Sequence, residues 1–165
     1  MAKCLILLLA PLTSYAWVRE MEEGNHFQGD IVLTPEQQIE AKRGNFTFGS
    51  VTTRLWPKTI AVEFSPEIKS SARAMDAIYE AFADFRKYTC LDFVLRNGHR
   101  DYLYFYQGSG CSSPVGRWGG RSSISLASGC WSKSTVIHEM GHSLGKQLFY
   151  HKLLFLMLNW EKRVL

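Results

Sequence analysis

No run of like charge passes through this chain: its 19 Lys and Arg are scattered among 15 Asp and Glu, and the net charge is +4. That distribution offers no basic stripe to nucleic acid or to an anionic membrane, and a solvated exterior accounts for it. Beyond the first residues no apolar stretch is long enough to cross a bilayer; 153–160 is apolar but too short. No internal repeat is present, which excludes solenoid architectures. Cysteine is scarce, with four in all. Cys4 sits at the extreme N-terminus, so Cys90, Cys111 and Cys130 remain. In an oxidising compartment an odd cysteine either pairs with another chain or lacks its partner.

What is present begins with a leader. Met1-Ala2-Lys3 is a short basic head, 4–12 is apolar apart from Pro11, and Ser14 and Ala16 put small residues at −3 and −1 of a cleavage site. This predicts a signal peptide over 1–16 and a secreted, extracellular product. The competing reading is a buried N-terminal helix or strand, but the apolar run is short and uncapped. Asn45-Phe46-Thr47 is a glycosylation sequon, usable at Asn45 only on the secretory route.

Residues 17–50 are rich in Glu, Gln, Gly and Lys and do not read as core. Thr34 can cap a short polar helix over Pro35–Lys42, with Pro35 suited to its first turn. Lys42-Arg43 is a dibasic pair, either a processing site or ordinary solvated surface.

From Leu55 onward the pattern turns globular. The spacing predicts strands over 59–64, 91–95, 102–106 and 122–127, and a helix with one apolar stripe over 70–88. The Gly- and Ser-rich stretch 108–120 reads as loop. A second helix is expected over 134–144, capped by Ser132 or Ser134 and stopped by Gly145. Strand, helix, several strands, helix implies an α+β domain with helices packed on a sheet.

The densest chemical signal is His138-Glu139-Met140-Gly141-His142. Helical residues four apart share a face, so both imidazoles can reach one metal ion. Neutral imidazole suits zinc. Glu139, beside the first histidine, can reach a water on the metal and serve as general base in peptide hydrolysis. Such a pattern also arises by coincidence, and it needs context.

The context is an ordered set of short matches. Trp56-Pro57 opens the globular part. Phe82-Ala83-Asp84-Phe85-Arg86-Lys87-Tyr88-Thr89-Cys90-Leu91-Asp92-Phe93 follows, then Gly110-Cys111-Ser112-Ser113, Val115-Gly116-Arg117-Trp118-Gly119-Gly120, Gly129-Cys130 and Val136 through Gly145. Together these resemble the N-terminal half of astacin-family metallopeptidases. Upstream, Phe27-Gln28-Gly29-Asp30-Ile31-Val32-Leu33 resembles the family's propeptide signature.

The resemblance implies a zincin-like (metzincin) N-terminal subdomain: a twisted, mainly antiparallel sheet with two long helices, the lower subdomain missing. It implies one zinc ion held by His138 and His142, Glu139 as catalytic base, and a Cys111–Cys130 disulfide. Asp30 would occupy the water's position on zinc and keep the precursor latent. The strand matching 120–127 would form the upper edge of the cleft, where an extended protein or peptide substrate adds by β-pairing. The implied layout is a signal peptide at 1–16, a propeptide at 17–43, the N-terminal half of the catalytic domain at 44–145 and an unrelated tail at 146–165. The compact arrangement is hatching-enzyme-like.

The chain departs from the family pattern after Gly145. The third histidine and the following glutamate would fall at Leu148 and Phe149. No methionine turn follows, and the expected partner of Cys90 is absent, which leaves Cys90 free or bridged to another molecule. Gly145-Lys146 can be encoded by a sequence containing a splice-donor consensus, so a retained intron would account for the break. His151 is a poor substitute ligand: on a continued helix it lies thirteen residues past His138, about 220° round the axis. The expectation is therefore an astacin-type endopeptidase precursor that is inactive as it stands. The alternative is a non-catalytic secreted fragment acting at most as a binding module.

Overall fold

The computed structural model describes residues 26–27, 29–43 and 55–145. The leader, the sequon at Asn45, and Leu148, Phe149 and His151 lie outside the described residues. The elements run β1 (Ile31–Val32), α1 (Pro35–Lys42), β2 (Thr59–Phe64), α2 (Pro66–Ser70), α3 (Ala72–Tyr88), β3 (Asp92–Leu95), β4 (Tyr102–Tyr106), β5 (Cys111–Pro114), β6 (Arg121–Leu126), a 3₁₀ turn at Ser128–Cys130 and α4 (Lys133–Ser143).

Each helix starts where a hydroxyl can satisfy its free N–H groups. Thr34 accepts from the Gln37 amide while the Gln37 side chain accepts from the Thr34 amide, a reciprocal capping box, with Pro35 in the first turn. Ser65 caps α2, and Ser71 both ends α2 and caps α3 through the Ala74 amide. Ser132, not Ser134, caps α4, accepting from the Thr135 amide. Past α4, Gly145 takes φ +92°, a conformation that favours glycine and ends the helix.

Ala74, Ala77, Ile78, Ala81, Phe82 and Phe85 form the buried stripe of α3. They pack on Ile60, Val62, Phe64, Phe93, Leu103, Phe105, Ile124 and Leu126 of the sheet, and on Val136, Ile137, Met140 and Leu144 of α4 and its end. Phe82 is central: its ring stacks on Phe93 with centroids 4.4 Å apart and meets Phe105 and Tyr79 edge-on at 5.9 Å. Full burial of such a ring stabilises the fold by about 1.5–3 kcal/mol.

The six strands lie in the order β1-β5-β6-β4-β2-β3. The sheet is mixed and mostly parallel, not mainly antiparallel as the resemblance implied; β5 with β6 is the one antiparallel pair among the named strands. The reason lies in the connections. The 17-residue α3 spans about 25 Å at 1.5 Å per residue. That is enough to carry the chain from the end of β2 back to its start, so β3 joins parallel. β3 then pairs only with residues 59–62 of β2 and β4 only with 61–64. Because of this stagger, the chain leaving Leu95 needs to cross β2 only near its middle, and a short loop suffices for β4 to run parallel too.

Two further expectations are corrected. The stretch 108–120 is not all loop, since it contains β5. Ser112 and Ser113 carry no apolar signal, yet both are buried; the strand is held by backbone pairing to β6 and by the bond from Cys111 to Cys130. Nor does the strand at 120–127 form the edge. β6 is interior, between β5 and β4, and β5 is the strand beside α4, with β1 added outside it.

Candidate metal centre

α4 is buried on all sides from Thr135 to Ser143, so its polar residues face protein rather than water. His138 and His142 stand one turn apart on one face, rings edge-to-face with centroids 4.5 Å apart and Nε2 atoms 3.0 Å apart. A third group enters from far away in the sequence. Asp30 Oδ2 lies 2.6 Å from His138 Nε2 and 3.4 Å from His142 Nε2. Asp30, His138 and His142 are all buried.

Asp30 reaches the histidines because of a tight local loop. The Phe27 amide donates to the Ile31 carbonyl and the Ile31 amide to Phe27, while the Gly29 amide donates to His26. Gly29 sits at φ +96°, where a side chain would be strained. β1 then pairs parallel with β5, Ile31 opposite Ser113, and the Ser113 amide donates to the Asp30 carbonyl at 3.0 Å. Burial raises the Asp30 carboxyl, but hydrogen bonds with His138 and His142 outweigh it and hold the group at about 2. Asp30 is thus a carboxylate at neutral pH.

Glu139 is fully buried, and neither carboxyl oxygen has a hydrogen-bond partner among the described residues. Burial, then the charge of Asp30, pushes its carboxyl well above the ordinary range. A buried carboxyl without partners is costly, and such groups cluster where chemistry is done. Ser113 Oγ donates to the Glu139 backbone carbonyl at 2.7 Å. The Gly116 amide donates to the His142 carbonyl at 3.0 Å, and the Trp56 indole to the Ser143 carbonyl at 2.8 Å. These three bonds fix α4 against β5 and the start of the globular region. Sequence reasoning gave no such role to Ser113, Gly116 or Trp56, since contacts to backbone carbonyls leave no trace in residue type.

The donor set fits zinc. Two imidazole nitrogens and one carboxylate oxygen are ligands zinc accepts, at about 2.0–2.2 Å. Tetrahedral ligands at that radius stand about 3.3 Å apart, close to the 2.6, 3.0 and 3.4 Å separations here. Asp30, His138 and His142 form the one such group among the described residues.

The family model described as Astacin, a peptidase family, matches residues 49–154. This chain belongs to the astacin family. The match runs past Gly145 into the first residues of the tail. Among curated relatives, zinc metalloproteinase nas-6 of Caenorhabditis elegans is 31% identical over 135 residues, covering 81% of this chain and 38% of its own. Zinc metalloproteinase nas-4 of the same organism is 36% identical, covering 78% and 41%. Blastula protease 10 of Paracentrotus lividus is 35% identical, covering 76% and 23%. The chain thus spans less than half the length of these relatives. Among solved structures, high choriolytic enzyme 1, a hatching-enzyme zinc protease from Oryzias latipes, superposes with a TM-score of 0.54 at 30% identity, over 58% of this chain and 50% of that one. The architecture is an astacin-type, zincin-like α+β domain in part.

Proposed function

We propose that these residues form the upper half of a secreted zinc endopeptidase precursor, held latent by its own Asp30. One zinc ion would be held by His138 and His142, with Asp30 as third ligand in the uncut chain. The observation that carries this reading is the convergence of Asp30 on the histidine pair beside the buried carboxyl of Glu139.

When bound, zinc supplies a Lewis acid that polarises a carbonyl and makes water a nucleophile at neutral pH. The chain's own residues do the rest. Glu139 is placed to take the proton from the attacking water and pass it to the leaving amine. β5 offers the strand edge along which an extended protein substrate would pair. β1 takes that edge now, and with zinc bound Asp30 would take the place of the water. Segment 17–43 is then the propeptide and 44–145 the catalytic half. Residues 1–16 direct secretion, and Cys90, exposed and free, is available for an intermolecular bridge.

Removing the segment through Arg43 would open the edge but also take away the third ligand. With Leu148 and Phe149 where the family pattern places histidine and glutamate, the 165-residue polypeptide is proposed to bind zinc weakly and cleave nothing by itself. Lys42 and Arg43 are exposed at the end of α1, so limited trypsin treatment reaches them. The test is zinc content and casein cleavage of the purified chain, before and after that treatment. Stoichiometric zinc with cleavage abolished by Glu139→Ala would show an active enzyme and defeat the inactivity reading. Absence of any zinc binding would defeat the metal site itself.

A further inference from the structure

His142 lies in the last turn of α4, where backbone carbonyls have no partner inside the helix. Its carbonyl is held instead by two amides, Gly145 at 2.8 Å and Gly116 at 3.0 Å. Gly116 belongs to the loop 115–120 that joins β5 to β6. β5 and this loop follow one turn of α4: Ser113 holds the Glu139 backbone carbonyl, and three residues on in both segments Gly116 holds that of His142.

β5 is secured by its pairing and by the Cys111–Cys130 bond. The loop is held differently. Val115 is buried, and the Trp118 indole closes back on its carbonyl at 2.6 Å. Gly116, Gly119 and Gly120 take φ of +81°, +86° and +73°, a region that glycine enters and leaves freely. A Cβ at Gly119 or Gly120 would meet nothing within 4 Å, so packing does not fix this end. The Tyr102 amide donates to the Gly120 carbonyl at 3.1 Å. The remaining hold is Asp101, just before β4. One of its carboxylate oxygens accepts from the Gly120 amide at 2.7 Å, the other from the Arg117 guanidinium at 3.0 Å. Arg100 stands 4.0 Å from the same carboxylate, but its side chain is 92% exposed, and so exposed a pair holds little.

We propose that Asp101 is a positioning residue for His142, acting through this loop; the proposal deepens the metal-site reading and rests on it. The two oxygens of Asp101 pin both ends of the segment 117–120, and with it the direction of the Gly116 N–H. Without them the Gly116 bond opens more often, the last turn of α4 frays, and the His142 imidazole loses its fixed place. A ligand set works only within about 0.5 Å of its geometry, and partners behind the ligands set that placement. The Asp101 and Arg117 side chains are 22% and 38% exposed, so their pair adds little to global stability. A local effect without a global one therefore separates positioning from general support.

The test uses the 165-residue chain with Asp101→Ala and the milder Asp101→Asn, which keeps an acceptor for the Gly120 amide but no charge for Arg117. Hydrogen exchange is followed at Gly116 and Gly145, the two amides that meet on the His142 carbonyl. The visible absorption of cobalt(II), added in place of zinc, reports the ligand geometry. In Asp101→Ala both amides should exchange about tenfold faster or more, with the α3 amides and the urea midpoint nearly unchanged and the cobalt bands shifted or weakened. Asp101→Asn should fall between, and it carries the test should the alanine variant fail to fold. Glu63→Gln, which breaks an equally exposed pair with Arg96, should move neither readout. Exchange at Gly116 indifferent to both Asp101 variants would overturn the proposal. So would equal acceleration throughout α3, or an unchanged cobalt spectrum while Gly116 exchanges faster. A parent chain that takes up no cobalt would instead defeat the metal-site reading, and the two glycine amides then decide on Asp101 by themselves.

Discussion

Asp30 Oδ2 lies 2.6 Å from His138 Nε2, although 108 positions of chain separate the two residues. A carboxylate from one end of the described chain is thereby buried against the helix at the other. The contact joins a segment that reads as irregular to the densest chemical motif of the sequence.

Asp30→Ala should lower the zinc affinity of the intact chain by more than about tenfold, since one of three ligands is lost. Competition against a chromophoric chelator measures it. An unchanged affinity would place the third ligand elsewhere.

Gly29→Ala should loosen the same segment without touching a ligand. At φ +96° a Cβ costs about 1–2 kcal/mol. Faster hydrogen exchange at the Phe27 and Ile31 amides, with α4 amides unaffected, is the expected pattern.

Paired replacement of Cys111 and Cys130 by serine should destabilise the domain by about 3 kcal/mol, from the lost constraint on the unfolded chain. The bond closes a loop of sequence separation 19. Urea denaturation of the oxidised parent and the double variant gives the difference directly.

Phe82→Ala removes the ring that touches Phe93, Phe105 and Tyr79. A loss of about 3–5 kcal/mol is expected. Phe82→Leu should keep much of the volume and lose less.

Asp92 gives a pH-dependent test. Its carboxyl is held below the ordinary 3.8 by the Arg86 hydrogen bond first and the Phe93 amide second. A depressed folded-state pKa means that the stabilisation is present above the unfolded value and lost as pH falls below it. Asp92→Asn should therefore lower the urea midpoint at pH 7, and the effect should shrink as pH falls below the ordinary carboxylate range and vanish once the folded-state carboxyl is protonated. High salt should shrink the effect, because both partners are about half exposed.

Much of the local structure was legible in the sequence. The α3 stripe declares itself by its spacing, and Thr34 marks the start of its helix because an N-cap hydroxyl acts on amides two or three residues ahead; for α4 the sequence offered Ser132 or Ser134, and the structure chose Ser132. The pairing of His138 with His142 follows from helix geometry alone. β5 was not legible: Ser112 and Ser113 offer no alternation, and the strand exists because its backbone is paired on both sides.

Residue type and short-range spacing thus determined the helices other than the short α2, most strands, the histidine pair and the candidate base, since each depends on neighbours within a few positions. Strand direction, the identity of the edge strand, and the anchoring of α4 by Ser113, Gly116 and Trp56 were decided only by the tertiary structure. They rest on backbone hydrogen bonds and on contacts between distant segments. Any residue type can make the first, and the second exist only once the sheet has brought its strands together.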